Sequence, residues 1–422
     1  MSTDKTDKRS SWLTRNVVLL GLVSFLADVS GEMMTPILPL YLAALGGSGF
    51  VIGFIGGLGD AVANIVKVIS GYLADQTGKK WQLIAVGYGI PFFAKFGIGL
   101  SQSWEQVVVL KPTERLGKGI RGAPRDSLLA DSVSVQVRGK AFGFHRMMDT
   151  AGAIFGSVLA LGLVIALFSY TTEEISLLRL IIILSSFISL FAVIPILFLE
   201  TPIQSSDKKQ LLRTGFLQNL KELSRDYYLL LFVSILFGLA NFTILLFIFH
   251  TNTILTSIGG IIESPFAQLA ITLGLFIWFN VIYSSLSVPF GSLSDRYGRK
   301  RVFAFGLILF IITCSIFVFT NYLFALIVAF GIYGAFYAAT DGVQKAYTVD
   351  LLPPALKGTG IGLLQTSMGL AGLASGIFAG LLYGIDFRLP FIYGATMAGI
   401  SLIVLLLINI PSTPDKKQPN AP

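Results

Sequence analysis

Long apolar segments separated by short polar stretches form the dominant pattern along the chain. Many of these segments run for about 20 residues, the length of an α-helix that crosses a lipid bilayer. Backbone polar groups find no water inside a bilayer, so a crossing segment must be helical or part of a closed β-barrel. The segments are too long and too continuously apolar for the alternating strands of a barrel. The pattern therefore predicts an all-α polytopic membrane protein.

The pattern predicts 12 transmembrane helices, six on each side of a central polar stretch. The predicted spans are 16–45, 51–74, 81–101, 104–131, 140–167, 176–199, 227–250, 266–290, 302–320, 322–350, 357–384 and 388–410. The corresponding regions are a tail at 1–15, a six-helix bundle at 16–199, a linker at 200–226, a second six-helix bundle at 227–410 and a tail at 411–422. The linker is expected to be either an amphipathic helix on the membrane surface or a flexible tether.

Charged residues between the predicted spans differ in sign from one side of the membrane to the other. The basic loops contain Arg15, Lys79, Lys80, Arg138, Lys140, Arg296, Arg299, Lys300, Arg301 and Lys357. The acidic loops contain Glu105, Glu173, Glu174, Glu263 and Asp386. Because cytoplasmic loops carry an excess of Lys and Arg, we expect both termini to be cytoplasmic and the protein to lie in the plasma (inner) membrane. The same bias explains the net charge of +8, so the expected surroundings are a lipid bilayer and no nucleic acid.

Two nearly identical decapeptides, GYLADQTGKK at 71–80 and GSLSDRYGRK at 291–300, lie 220 positions apart. Further matches at a displacement of 219 relate Asp131 to Asp350. The two halves are therefore expected to have the same orientation, as parallel repeats about an axis along the membrane normal. Halves related in this way can rock against each other around a central site, as alternating access requires.

The decapeptides and the twelve predicted spans resemble the major facilitator superfamily (MFS) of secondary transporters, and this resemblance covers essentially the whole chain. It implies the MFS fold of two six-helix bundles in parallel pseudo-repeat. It also implies a conformational latch on the cytoplasmic side, where glycines allow tight turns and an aspartate faces the end of a neighbouring helix. The residues that match this latch are Gly71, Asp75, Gly78, Lys79, Gly291, Asp295, Gly298 and Arg299.

Two other segments resemble the family in part. ERLGKGIRGA in the fourth predicted span matches the second family motif at Arg115 and Gly119, with Lys118 at a position where glutamine is commoner. TAGAIFGS in the fifth predicted span matches a glycine-rich antiporter motif at Gly152 and Gly156, but an alanine replaces the usual proline. The alanine at the proline position of the antiporter motif weakens the inference of drug–proton antiport.

Residues 117–122, GKGIRG, also match the dinucleotide fingerprint GxGxxG. That fingerprint requires a preceding strand and a soluble βαβ unit, whereas this copy lies inside a predicted membrane span. The chain has no GxxxxGK[ST] phosphate-binding loop. We therefore expect transport energy to come from an ion or substrate gradient rather than from ATP.

Charged residues inside the spans are the candidate functional groups, because a charge at the bilayer centre costs about 2.5–3.5 kcal/mol on insertion scales. The proton-coupling candidates are Asp28, Glu32 and Asp149. The substrate-binding candidates are Arg115, Lys118, Arg121, Arg146, Asp60 and Asn241. The competing interpretation is that these charges are salt bridges that only hold the helices together. That interpretation is favoured for Arg125, Asp126 and Asp131, which lie close to the predicted cytoplasmic end.

These patterns favour a secondary active transporter that couples protons to a small anionic or zwitterionic organic solute. Buried arginines and lysines favour such a solute, since guanidinium groups match the geometry of carboxylate and phosphate. The alternatives are a proton-coupled exporter of multiple drugs or amphipathic compounds and a transporter of carboxylate siderophores. A lipid flippase and a non-transporting receptor are further possibilities. We expect a monomer that is not an enzyme and needs no cofactor or metal.

Overall fold

The structure is a computed structural model that describes residues 13–134, 137–167, 173–200, 222–258, 264–319, 321–353 and 356–410, without the side chain of Asp75. The predicted C-terminal tail and nearly all of the predicted linker and N-terminal tail lie outside these ranges. Every regular element within them is helical. The prediction of an all-α polytopic fold is confirmed.

The described residues form fourteen α-helices and one short 3-10 helix. The first seven are α1 (Arg15–Met34), α2 (Leu38–Ala44), α3 (Gly49–Thr77), α4 (Lys80–Leu100), α5 (Trp104–Asp131), α6 (Arg138–Leu167) and α7 (Glu174–Phe191), followed by the 3-10 helix Ile194–Phe198. The others are α8 (Arg225–Ala240), α9 (Ile244–Ile258), α10 (Pro265–Tyr297), α11 (Arg299–Phe319), α12 (Leu323–Asp350), α13 (Lys357–Ile385) and α14 (Leu389–Leu407).

Eleven segments of the described chain are long and apolar enough to cross a membrane, and each overlaps one predicted span. The remaining predicted span is α5, which has 28 residues and therefore a length of about 42 Å. Its length suffices to cross a bilayer, but its many charged residues make it too polar to face lipid. The chain is a multi-pass membrane protein in which α5 needs protein neighbours.

Two predicted spans are each divided into two α-helices in the structure. α1 ends at Met34 because Pro36 has no N–H, which leaves the carbonyl of Glu32 without its usual helical partner. The chain resumes as α2, with a proline in its first turn. The seventh predicted span is divided into α8 and α9 at Asn241, whose backbone angles of φ −86° and ψ 78° end α8.

The two decapeptides are helical over most of their length, so the helices extend beyond the ends predicted for the second and eighth spans at 74 and 290. α3 and α10 continue through the first seven residues of each decapeptide and end just before Gly78 and Gly298. Both glycines have left-handed backbone conformations, with φ of 69° and 97°. Only glycine adopts this conformation without strain, which is why each helix ends there.

The described residues group by their contacts into two units. The first consists of residues 1–206 and 244–277, and the second of residues 207–243 and 278–422. The boundaries differ from those expected from the sequence, because α9 packs on α2 and α3 and therefore groups with the N-terminal helices. The division into two six-helix bundles stays a prediction.

In the first unit, α5 packs along both α3 and α4 at glycine contacts. A Cβ atom on Gly117 would lie 2.8 Å from the carbonyl oxygen of Gly87 on α4. A Cβ atom on Gly119 would lie 2.8 Å from the carbonyl oxygen of Ala63 on α3. The glycines of the GKGIRG segment therefore permit close helix packing, in agreement with the rejection of a dinucleotide site.

The helices α1 and α6 also approach closely, and they run in the same direction. A Cβ atom on Gly152 would lie 2.5 Å from the carbonyl oxygen of Phe25, and one on Gly156 would collide with the carbonyl oxygen of Val29. Phe25 thus meets Gly152, and Val29, four residues later, meets Gly156, also four residues later. The contacts ascend along both helices, which shows that the helices are parallel. This glycine pair is a packing contact between the first and fifth predicted spans.

The core of the second unit is strongly aromatic. The rings of Phe310 and Phe336 have centroids 4.8 Å apart, and Phe237 lies edge-on to both Phe303 and Phe336 with centroid distances of 5.8 Å. Cys314, the only cysteine of the chain, is fully buried in this unit. Aromatic pairs of this kind add about 0.5–1.5 kcal/mol each beyond the burial of their area.

Each unit has one ion pair that joins equivalent helix ends. The Nζ atom of Lys80 lies 2.6 Å from Oδ2 of Asp131, and Nε of Arg299 lies 3.0 Å from Oδ2 of Asp350. Both members of the second pair follow those of the first by 219 positions, the displacement that relates the two aspartates in the sequence. The repeat therefore extends to a shared electrostatic contact at the starts of α4 and α11.

We expect Gly119→Ala to destabilise the protein by about 1–3 kcal/mol, because the added methyl overpacks the contact between α3 and α5. Gly162→Ala is the matched control, since a Cβ atom there meets nothing within 4 Å. Thermal unfolding of the detergent-solubilised variants measures the difference. Equal stability of the two variants would contradict the close packing at Gly119.

Candidate functional site

The charged residues of α5 form a buried ion-pair network. Nζ of Lys111 donates to Oε2 of Glu114 at 2.8 Å, and Nε of Arg115 lies 3.7 Å from the same oxygen. Arg115 also reaches α3, where its NH2 atom lies 3.8 Å from Oδ1 of Asp60. The side chains of Lys111 and Glu114 are almost fully buried, whereas that of Asp60 is 56% exposed. The network therefore leads from a dry interior towards a more open surface.

Lys95 on α4 places a further cation beside this network. Lys95 is 2% exposed, and its ammonium group donates to Oγ of Ser30 on α1 at 2.7 Å. The hydroxyl of Ser30 in turn donates to the carbonyl oxygen of Ser185 on α7. Within the described residues Lys95 has no carboxylate within salt-bridge distance. A buried ammonium held only by a hydroxyl is expensive, which marks Lys95 as a functional candidate.

Arg121 is held against α4 by a different kind of contact. Its guanidinium carbon lies 4.1 Å from the ring centroid of Tyr88, a cation–π contact, and NH1 donates to the carbonyl oxygen of Gly87 at 3.3 Å. A cation–π contact removed from water is worth about 2 kcal/mol. Both contacts leave the charge of Arg121 uncompensated by an acid within 4.0 Å in the described chain.

Asp28 and Glu32 on α1 face the same cavity as these cations. The cavity measures about 20 Å³, room for about one water molecule, and Lys118 also lines it. Across the described ranges neither carboxylate has a basic nitrogen within 4.0 Å. The charged side chains that line the cavity are Asp28, Glu32, Lys95, Lys111, Glu114, Arg115, Lys118 and Arg121. They combine five bases with three acids.

Arg125 does not line the cavity but joins α5 to α1. Its NE and NH2 atoms donate to Oδ1 of the adjacent Asp126 at 3.0 and 2.9 Å, and NH1 donates to Oγ of Ser24 at 3.0 Å. This arrangement agrees with the structural role expected for Arg125 and Asp126. The remaining acid of this region, Asp149 on α6, lies 3.5 Å from Nδ1 of His145 on the same helix.

The sequence matches the family model of the Major Facilitator Superfamily over residues 20–277 and 251–422. The chain belongs to the major facilitator superfamily. It is therefore a transporter of small-molecule substrates by family, with the MFS fold that the two decapeptides predicted.

Individual relatives agree with this assignment. An uncharacterised MFS-type transporter of Methanocaldococcus jannaschii is 36% identical over 404 residues, which cover 96% of this chain and 97% of the relative. Multidrug resistance protein 1 of Bacillus subtilis is 22% identical over 414 residues, covering 95% and 97% of the two chains. A crystal structure of the nucleoside transporter NupG superposes with a TM-score of 0.73 at 15% identity, covering 93% of this chain and 98% of that one. The last similarity concerns the fold.

The structure of this MFS protein brings some of the sequence-predicted site residues together. Asp28, Glu32, Arg115, Lys118 and Arg121 all line one cavity, and Asp60 joins them through Arg115. Asp149 lies outside the residues that line it.

Two other substrate-binding candidates lie away from this cavity. Arg146 is exposed and does not line it. Asn241 belongs to the second unit, where its buried Oδ1 atom has no hydrogen-bond partner among the described residues.

The predicted MFS latch is partly visible. Arg299 forms an ion pair with Asp295 at 2.5 Å as well as with Asp350. Lys79 is exposed, and Gly78 and Gly298 provide the turns described above. Three other latch candidates, Gly71, Asp75 and Gly291, lie within helices. The latching role of the whole set stays a prediction.

Sequence reasoning missed Lys95, Tyr88 and Ser30. Lys95 had a usable signal, because it is the only charged residue between 81 and 101 of the third predicted span. Tyr88 and Ser30 had none, since an aromatic ring or a hydroxyl in an apolar helix acquires a role only from what packs against it.

Breaking the Lys111–Glu114 pair should destabilise this MFS protein strongly. Glu114→Gln leaves two buried cations without their shared carboxylate, so we expect it to cost about 3–5 kcal/mol, and more than Lys111→Met. The double variant should lose less unfolding free energy than the sum of the two single variants, because it removes both charges of the pair and leaves neither without its partner. Denaturant-induced unfolding in mixed micelles measures these differences.

The matched control for this prediction is the Lys345–Asp341 pair, which has the same kind of contact at 2.6 Å but is 48% and 34% exposed. Asp341→Asn should cost about 0–1 kcal/mol, the range of exposed pairs. A similar loss from Asp341→Asn and Glu114→Gln would show that burial does not govern these pairs.

Proposed function

We propose that the protein is a secondary active, proton-coupled transporter of a small anionic or zwitterionic organic solute, working by alternating access. The single observation that carries this proposal is the cavity that Asp28 and Glu32 line together with an excess of basic side chains. In this proposal the protein acts as a monomer in the plasma (inner) membrane, with both termini cytoplasmic, and protons and the solute are its partners.

Proton coupling is supported by the positions of the two carboxylates. Asp28 and Glu32 are one helical turn apart, so the ionised form of each disfavours ionisation of the other. Lys118 and the other cavity bases favour the ionised forms, while removal of water favours the neutral forms. The balance between these opposing influences changes with access of water. Protonation can therefore follow the conformation, which is what coupling to a proton gradient requires.

The charge of the cavity supports an anionic or zwitterionic solute. Five basic side chains against three acidic ones leave an excess of positive charge, and three of the bases have no acid within salt-bridge distance in the described chain. A solute carboxylate or phosphate can neutralise that excess. The cavity holds about one water molecule, so the solute must bind when this region is open. In this proposal the region therefore opens to admit the solute and closes again, as alternating access requires.

Export of amphipathic compounds is the second candidate function, and two observations favour it. Multidrug resistance proteins are among the relatives. The second unit also presents aromatic rings next to a carboxylate: Tyr283 and Tyr337 have centroids 5.9 Å apart, and the hydroxyl of Tyr283 donates to Oδ2 of Asp341 at 3.1 Å. Rings and an acid of this kind recognise lipophilic cations. A carboxylate siderophore remains within the leading class, as a larger organic anion.

Glu32→Gln should abolish accumulation driven by a pH gradient, because a glutamine cannot release a proton. Exchange of labelled for unlabelled solute should continue, since binding and rocking do not require a gradient. Glu105→Gln is the matched control, because Glu105 is exposed at the start of α5. Proteoliposomes with and without an imposed pH gradient provide the measurement. Undiminished uphill transport by Glu32→Gln would exclude Glu32 as the coupling group.

Competition in the same proteoliposomes should separate the two solute classes. We expect organic acids to compete with the transported solute and lipophilic cations not to compete. Lys118→Gln should weaken solute binding by a factor on the order of 10 to 100, the loss of one charge-assisted hydrogen bond. Lys345→Gln, on the other unit, should leave binding unchanged if the cavity is the anion site. Competition by lipophilic cations alone would favour the export hypothesis.

A further inference from the structure

His145 and Asp149 form a buried pair that the cavity does not include. They lie four residues apart on α6, with Nδ1 of His145 3.5 Å from Oδ2 of Asp149. His145 is 4% exposed. Its Nε2 atom and Oδ1 of Asp149 are both buried, and neither has a hydrogen-bond partner within the described part of the chain. Each residue of the pair therefore retains one unused polar atom in an environment where such atoms are costly.

The packing of α1 on α6 places this pair in line with the cavity carboxylates. Phe25 lies beside Gly152 and Val29 beside Gly156, so each residue of α1 is level with the one 127 positions later on α6. By this displacement of 127, Asp149 on α6 is level with Leu22 on α1, and Asp28 lies six residues after Leu22. At 1.5 Å per residue, the axial steps from His145 to Asp149, Asp28 and Glu32 are about 6, 9 and 6 Å.

The charged residues that act on the pair lie on α1, α5 and α6. Arg125 and Asp126 face His145 from α5, and Arg146 and Asp149 do so from its own helix. Asp28 of α1 interacts electrostatically with Asp149. The charged residues of α7, Glu174 and Arg179, follow the far end of α6 in the chain. The charged groups that act electrostatically on His145 are thus two cations and two acids.

We propose that His145 and Asp149 transfer protons between the Arg138 end of α6 and the carboxylates Asp28 and Glu32. This inference rests on the proposed proton coupling. Neutral His145 carries its proton on Nε2. When the side chain rotates towards the Arg138 end, Nδ1 accepts a proton from hydronium; when it rotates back, Nδ1 donates this proton to Oδ2 of Asp149, which returns the imidazole to its starting tautomer. Rotation of the Asp149 carboxyl group then presents the proton to a water molecule, through which it passes to Asp28 and from there to Glu32. Each cycle moves one proton and leaves His145 and Asp149 in their starting states.

Exchange of the buried carboxyl protons with D₂O tests the pathway without a transported solute. The full-length protein in nanodiscs is mixed rapidly with D₂O, and infrared spectroscopy follows the isotope shift of the protonated carboxyl C=O bands. Asp28→Asn and Glu32→Gln assign the bands. We expect His145→Gln and Asp149→Asn each to slow the exchange by a factor on the order of 10 to 100, the contribution of one positioned acid–base group. Added imidazole should restore the rate in His145→Ala.

The control is His250→Gln, which removes the only other histidine of the chain and should leave the exchange rate unchanged. Unchanged exchange in both His145→Gln and Asp149→Asn would overturn the proposal. So would slowing in His145→Ala that imidazole does not reverse, since that outcome indicates a structural role.

A second measurement covers the case in which no exchanging carboxyl band is resolved. With ¹⁵N-labelled histidine in the His250→Gln background, the spectrum reports His145 alone. We expect Asp149→Asn to shift the tautomer of His145 and Asp28→Asn to move its titration midpoint, whereas Asp341→Asn should do neither. A midpoint that Asp28→Asn does not move would overturn the connection to the cavity.

Failure of this pathway is distinguishable from failure of the proposed function. If Glu32→Gln still accumulates solute but His145→Gln slows exchange, the coupling assignment is wrong and the pathway stands. If Glu32→Gln loses accumulation but the carboxyl protons exchange at the normal rate in His145→Gln and Asp149→Asn, proton coupling stands. Protons then reach the carboxylates by another route.

Discussion

The cost of carrying charged side chains through a bilayer governs the packing of the first unit. α5 has charges at nearly every turn along one side, and that side cannot be left to lipid. Glycines at 117 and 119 let α4 and α3 pack directly on its backbone, which brings their polar groups within reach of its side chains. The close packing and the buried network thus depend on each other. Larger residues at these glycines would separate the helices and leave the charges without partners.

The two units share features at their helix ends and differ inside. Lys80–Asp131 and Arg299–Asp350 are equivalent ion pairs at equivalent positions. The interior of the first unit is ionic, as the network around Glu114 shows, while that of the second is a cluster of aromatic rings around Phe336. A duplicated chain keeps in both copies what every transport cycle needs. We expect specificity and coupling to reside in the buried ionic network, which is found in the first unit.

Much of the fold follows from sequence, because span length and hydropathy are set by the bilayer itself. The sequence also brings Asp28, Glu32 and Arg121 to one site, since intramembrane charges must face protein. It does not reveal the interruption at Asn241, nor the helical state of the decapeptides up to Gly78, which depend on local backbone geometry. Hydrogen bonds between distant helices depend on tertiary packing and escape sequence reasoning for that reason.

Lys95 and His145 show two different limits of such reasoning. The partner of Lys95 is Ser30, an ordinary hydroxyl whose importance arises only from the approach of α1 to α4. The sequence contains nothing that predicts the buried Nε2 atom of His145, which has no hydrogen-bond partner among the described residues. Lys95 becomes a candidate only when its burial and its lack of an acidic partner in the described chain are known together, and His145 only when the burial of its unpartnered Nε2 atom is known.

The single cysteine has a practical consequence for biophysical work. Cys314 is fully buried in the aromatic core, and a buried thiol in apolar surroundings reacts poorly with water-soluble reagents. The native chain can therefore serve as a background for single-cysteine labelling without removal of its own thiol. Fluorophores or spin labels attached at the ends of helices would then report distances between chosen sites during a transport cycle.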